Sequence, residues 1–143
     1  MLAKRLERRG NALRLSPDEW IARLYGPDVQ KRDPPTFDAA RGRVETLQRE
    51  LAERALLLGL DVILENGFWA RAERDEYRAW AHGLGARVEL HFLDVPREEL
   101  WARLSSRNAN PPPGTFRVQE HELDLWLSHF EAPTAGELGD HRA

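Results

Sequence analysis

Leu60-Asp61-Val62-Ile63-Leu64-Glu65 is a nearly continuous apolar run closed by the turn pair Asn66-Gly67. A run of this kind offers water no polar face, so it reads as a strand of a parallel sheet covered by helices on both sides. Two further short strands, around residues 12–15 and 87–93, alternate with helix-forming stretches, and residues 60–108 make two strand–helix units. Connections that short imply parallel strands and right-handed crossovers. The expected fold class is therefore α/β, with strands 12–15, 60–65 and 87–93 parallel in one sheet and 60–65 the most buried.

The helices announce themselves by capping and period. Leu2 and Leu6 lie one turn apart in an opening helix that closes at Gly10. Ser16-Pro17-Asp18-Glu19 is a capping box with proline at the first helical position, and Gly26-Pro27 stops that helix. Residues 26–36 read as a loop. A long helix follows from about Phe37 to Leu58, its apolar face carried by Phe37, Ala40, Val44, Leu47, Leu51, Ala55 and Leu58. Further helices are expected from Arg71 to Leu84, from Pro96 to Asn108 and from Glu120 to Phe130. Asn110-Pro111-Pro112-Pro113-Gly114 reads as a stiff loop, and the tail from Glu131 as polar and frayed.

Composition sets the remaining bounds. The chain of 143 residues fits a single domain spanning 1–143. Its net charge of −3 gives no global attraction to nucleic acid or a membrane surface. The cations are nearly all arginine, which suits bidentate phosphate or carboxylate recognition, but the codon bias of a GC-rich genome is the preferred explanation. Without cysteine, disulfides and thiolate metal sites are excluded. No leader-like or membrane-spanning run is visible, so a cytoplasmic location is the default expectation. The histidines at 82, 91, 121, 129 and 141 show no metal-ligand spacing. His91 alternates with Glu89 on one strand face and reads as a satisfied structural residue.

Several residues stand where chemistry is placed in such folds. Asp18 lies just past a strand end, where open α/β sheets bind ligands. It also lies in the first turn of a helix, where the dipole favours any acid. Glu65 ends the apolar strand and reads either as a metal- or acceptor-orienting carboxylate or as a solvated strand-edge residue. Arg103 and Arg107 share a helix face, and Glu99 is spaced to pair with Arg103. Trp69 is a pocket wall or a core aromatic. Arg71 and Arg74 open their helix as weaker acceptor-site candidates.

Taken together, Leu13-Arg14-Leu15-Ser16-Pro17-Asp18-Glu19-Trp20, Val62 through Trp69 and Leu90-His91-Phe92-Leu93-Asp94-Val95-Pro96 resemble the AAA-type ATP-binding P-loop kinases, a family that includes chloramphenicol phosphotransferase, zeta-toxin and polynucleotide-kinase groups. Arg103 through Asn108 and Phe130 through Thr134 extend the likeness, which covers nearly the whole chain in order. The resemblance implies a P-loop NTPase-like parallel sheet with flanking helices and transfer of phosphate from ATP with Mg²⁺. The acceptor would be a hydroxyl of a small molecule or nucleotide-type compound; relatives act on antibiotics, nucleotide sugars and polynucleotide ends. It also implies Asp18 as the proton acceptor and Arg103 and Arg107 as lid arginines on the transferring phosphoryl group. Pro133 and Thr134 would lie with Arg107 at the nucleotide, and Glu65, Trp69 and Arg71 at the acceptor.

The family's phosphate loop, G-x-x-x-x-G-K-[ST], occurs nowhere in these residues, and Leu2-Ala3-Lys4-Arg5-Leu6 matches the helix that follows it. The first strand and loop are therefore expected to be missing from this chain, and ATP binding by it is doubtful. Three functions follow: a kinase whose start lies upstream, a non-catalytic remnant or interaction module, or one part of a split kinase. An incomplete sheet would leave a strand edge open, so marginal stability or self-association through that sheet is expected. No membrane partner is expected, and nucleic acid has no independent support.

Overall fold

A computed structural model describes residues 2–112 and 115–139, so Pro113, Gly114 and His141 lie outside the described residues. The chain divides into two compact units, Met1–Asn66 with Ser106–Arg117 and Gly67–Ser105 with Val118–Ala143.

In the first unit, α1 (Leu2–Gly10) leads into β1 (Leu13–Leu15). Next come α2 (Pro17–Tyr25), α3 (Val29–Arg32), α4 (Pro34–Leu57) and β2 (Val62–Leu64). β1 and β2 pair in parallel with Leu13 opposite Val62, Arg14 opposite Ile63 and Leu15 opposite Leu64. The Ser16 hydroxyl accepts from the Glu19 amide at 3.2 Å, which caps α2, and Gly26 ends the helix at a φ of 96°. The Glu19 carboxylate does not complete the box; it reaches Arg14 instead. Asp33 caps α4 through the Thr36 amide at 3.2 Å, so the long helix begins at Pro34, ahead of the expected Phe37. The expected loop 26–36 holds the short α3.

The core of this unit is Ile21, Ala22, Val29, Phe37, Ala40, Val44 and Phe116. Phe37 meets Phe116 edge to face with ring centroids 5.6 Å apart. Each large apolar side chain buried here contributes about 1.5–3 kcal/mol. Along α4 the buried face runs through Phe37, Ala40, Val44, Gln48, Ala52 and Ala55. Leu47, Leu51 and Leu58, expected on that face, are exposed. Beyond Val44 the packed face runs through Gln48, Ala52 and Ala55, which lie to one side of the leucines and leave them uncovered.

Two strand expectations change. Val62, Ile63 and Leu64 are only half-buried, whereas Leu15 of β1 is 2% exposed. β1 is covered by α1 and α4, while β2 has one strand neighbour and packs against α4. Residues 87–93 form no strand. Glu89 and His91 still share a side, with Oε1 and Nε2 3.1 Å apart, as extended backbone requires. Apolar–polar alternation makes a segment extended, but only a ladder partner makes it a strand.

The second unit contains α5 (Arg71–Gly83), the first part of α6 (Arg97–Ala109), α7 (Glu120–His129) and α8 (Ala135–Gly139). Trp69 packs edge-on to Trp126 and Phe130 with centroids 6.1 and 5.7 Å away, and Phe92 stacks on Phe130. Arg97 grips Asp124 at 2.9 and 3.0 Å and Glu120 at 2.9 Å, which ties α6 to α7. The tail is not frayed throughout. Thr134 and Glu137 form a reciprocal capping box at α8: the Glu137 amide donates to the Thr134 hydroxyl at 3.2 Å and the Thr134 amide to the Glu137 carboxylate at 2.8 Å. No helix among the described residues is long and apolar enough to cross a membrane.

Gly67 has a φ of 88°, and a Cβ there would sit 2.6 Å from the Trp69 indole nitrogen. Gly67→Ala should therefore combine left-handed strain with displacement of the indole, costing about 2 kcal/mol. Urea denaturation followed by tryptophan fluorescence checks this; an unchanged midpoint would refute it.

Candidate functional site

The parallel pair β1–β2 presents two C-terminal ends, and the chain places a polar group after each. Asp18 stands in the first turn of α2, three residues beyond β1, and Asn66 stands two residues beyond β2. Arg41 of α4 joins them. Its Nη1 lies 2.7 Å from Asp18 Oδ1, its Nη2 donates to the Asn66 carbonyl at 3.2 Å, and its Nε donates to Glu45 at 3.1 Å. Asp18 remains half-exposed, with its side chain 49% accessible, so this carboxylate is both oriented and reachable.

Arg107, near the end of α6, is the second cation at this place. Burial pushes its pKa below the ordinary arginine value, and the charge of Asp18 works in the opposite direction. Its Nη2 donates to the Phe116 carbonyl at 3.0 Å, while its buried Nε has no hydrogen-bond partner among the described residues. A half-desolvated guanidinium with an unfilled donor favours an incoming anion.

Glu65 is differently employed. It accepts from Arg14 Nη1 at 3.1 Å, and Arg14 also donates to Glu19 at 2.7 Å and approaches Glu7 at 3.6 Å. Burial opposes the charge on Arg14, but its bonds to Glu19 and Glu65 outweigh that and raise its pKa. Three acids around one nearly buried guanidinium form a structural knot beneath the strand ends. Sequence reading missed Arg14 and Arg41. A charge between two strand leucines was the available signal for Arg14; Arg41 lies 23 positions from Asp18 and has none.

Of the expected site residues, Asp18 and Arg107 are brought together. Arg103 forms an ion pair with Glu99 one turn away, at the exposed surface. Arg71 faces Asp75 at 3.6 Å. Trp69 lies in the aromatic cluster, Thr134 caps α8, and Pro133 precedes that cap; all three belong to the second unit. Arg74, the other opening arginine of α5, is buried against Glu137.

Glu65, the carboxylate expected to orient Mg²⁺ or the acceptor, has one oxygen engaged by Arg14. Among the described residues no three carboxylates or histidines gather as a metal site.

A family described as an AAA domain matches residues 1–133. No curated protein and no solved structure matches the chain.

Proposed function

The chain belongs to this P-loop kinase-like AAA family, and from that premise we propose that it is a domain of an ATP-dependent phosphotransferase acting on a hydroxyl of a small molecule or nucleotide-type acceptor. The observation that carries the reading is the Asp18–Arg41 pair, with Arg107 beside it, at the carboxyl ends of two parallel strands. Asp18 accepts the proton of the acceptor hydroxyl, the hydroxyl oxygen attacks the γ-phosphorus, and ADP departs with the bridging electrons. Arg107 offers its charge to the phosphoryl oxygens, where most of the catalytic stabilisation in such transfers originates.

The reading includes an inactive state. Loop amides and the lysine of G-x-x-x-x-G-K-[ST] make most phosphate contacts in this class, and these 143 residues contain no such motif. The chain by itself is expected to bind Mg-ATP at millimolar affinity or weaker, roughly 4 kcal/mol or less. Isothermal calorimetry checks this, and micromolar binding would overturn the idea of an incomplete phosphate site. The function itself is tested by supplying a strand and phosphate loop ahead of α1 and assaying phosphoryl transfer to a panel of hydroxyl compounds. Failure of every acceptor, with the loop variant folded and binding ATP, would sink the proposal.

A further inference from the structure

The leucines left off the packed face of α4 form a surface of their own. Leu47, Leu51 and Leu58 are 56%, 36% and 79% exposed, and Leu57 beside them is 69% exposed. At 100° per residue Leu47 and Leu51 form a strip about 40° wide along the second half of the helix, and Leu58, its C-cap, follows at the end. Glu50 and Arg54 lie along one flank of that strip, one turn apart, and both are exposed. Among the described residues neither joins an ion pair, although their spacing suits one within the helix. An apolar strip with a charged border of both signs is the pattern of a helix that packs on another helix.

We infer that this strip is the interface of a homodimer, with α4 of one copy lying antiparallel against α4 of a second. The charge order selects that occupant and that direction. In an antiparallel pair the same flank of each helix faces its counterpart. A two-fold axis near residue 52 then sets Glu50 of each copy opposite Arg54 of the other and Leu47 opposite the Leu57–Leu58 end. Both ion pairs form at once because the operator repeats them. A parallel two-fold pairing would set the Glu50–Arg54 flank of each helix against the opposite flank of the other, and neither ion pair could form. The inference is independent of the proposed function, since none of these residues belongs to the Asp18 site.

Sedimentation equilibrium of the purified chain tests it, with circular dichroism to monitor folding. Wild type is expected to dimerise with concentration, and Leu51→Glu to remain monomeric while keeping its helix content, because the position is exposed. Glu50→Arg and Arg54→Glu should each weaken the dimer about tenfold, since each opposes like charges twice. The double variant E50R/R54E should restore it, a rescue that a merely sticky patch would not give. A wild-type monomer at every concentration overturns the inference. So does a dimer that survives Leu51→Glu, which would point to the open edge of β2, and so does failure of the double swap to rescue.

Discussion

Arg74→Ala is expected to destabilise the second unit by about 3–5 kcal/mol, a large part of the 5–15 kcal/mol that holds a typical domain together. The Arg74 and Glu137 side chains are each 3% exposed and meet at 2.8 Å through Nε and Oε1. Arg74 also donates to the Phe68 carbonyl at 2.8 Å and the Trp69 carbonyl at 3.3 Å. It thereby closes the loop in which Gly67 and Phe68 both take positive φ, 88° and 51°. Removing the guanidinium leaves the buried Glu137 with the more distant Arg78, at 3.7 Å, as counter-charge, and leaves the Phe68 and Trp69 carbonyls without the Arg74 donor. Glu137→Gln retains the cap on α8 but leaves Arg74 without its counter-charge, so it should cost somewhat less. The pair also sets an acid limit. The Arg74 hydrogen bond holds the Glu137 pKa at about 2, below the ordinary value of 4.5. Its stabilisation is complete above about pH 4.5 and fades as pH falls toward 2, on the order of 3 kcal/mol in all. Urea titrations between pH 2 and 7, read by tryptophan fluorescence, should show this acid slope in wild type and a shallower one in Glu137→Gln. Variants within about 0.5 kcal/mol of wild type with an unchanged acid slope would refute the account.

What could be read from the sequence divides by range. Ser16-Pro17-Asp18-Glu19 was legible because a cap is a contact across three residues, and the hydroxyl, the proline and the amide all lie within the motif. Gly67 was legible for the same reason. The apolar stripe of α4 was legible as composition but not as phase, because only packing decides which of its residues go under, and it chose Gln48, Ala52 and Ala55 over the leucines. The segment 87–93 carried the alternation of a strand, yet strand formation belongs to a pair of segments and one segment cannot reveal it. The ion pairs Arg41–Asp18 and Arg74–Glu137 span 23 and 63 positions and carry no local mark in the arginine. The T-x-x-E of Thr134 to Glu137 was a readable cap that tail-like composition obscured. Asp18 was singled out by its place past a strand end and by resemblance, and Arg107 by its helix face and by resemblance; Arg41, which bonds to Asp18, became visible only when two strand ends and a helix face were set side by side.

Asp18→Asn, placed in the chain supplied with a phosphate loop, is expected to lower turnover by roughly 10²–10⁴-fold while leaving ATP affinity nearly unchanged. The amide has the size of the carboxylate, and its oxygen can still accept from Arg41 where Oδ1 now lies at 2.7 Å. It cannot take a proton at neutral pH, so the hydroxyl must attack without a base. The structural penalty should be small, because the Asp18 side chain is 49% exposed and Arg41 keeps Glu45 as a second carboxylate. Stability and catalysis are thus separable at this residue. Arg107→Ala should behave differently and weaken nucleotide affinity together with turnover, because its charge would meet phosphate in both ground and transition states. Steady-state kinetics with ATP varied, paired with thermal melts, distinguish the two patterns. If Asp18→Asn lowers the melting temperature but transfers phosphate at nearly the wild-type rate, Asp18 is an acid in a helix's first turn and no more. Glu65 would then be the next carboxylate to test, and a base at that position would first have to be released from the hold of Arg14.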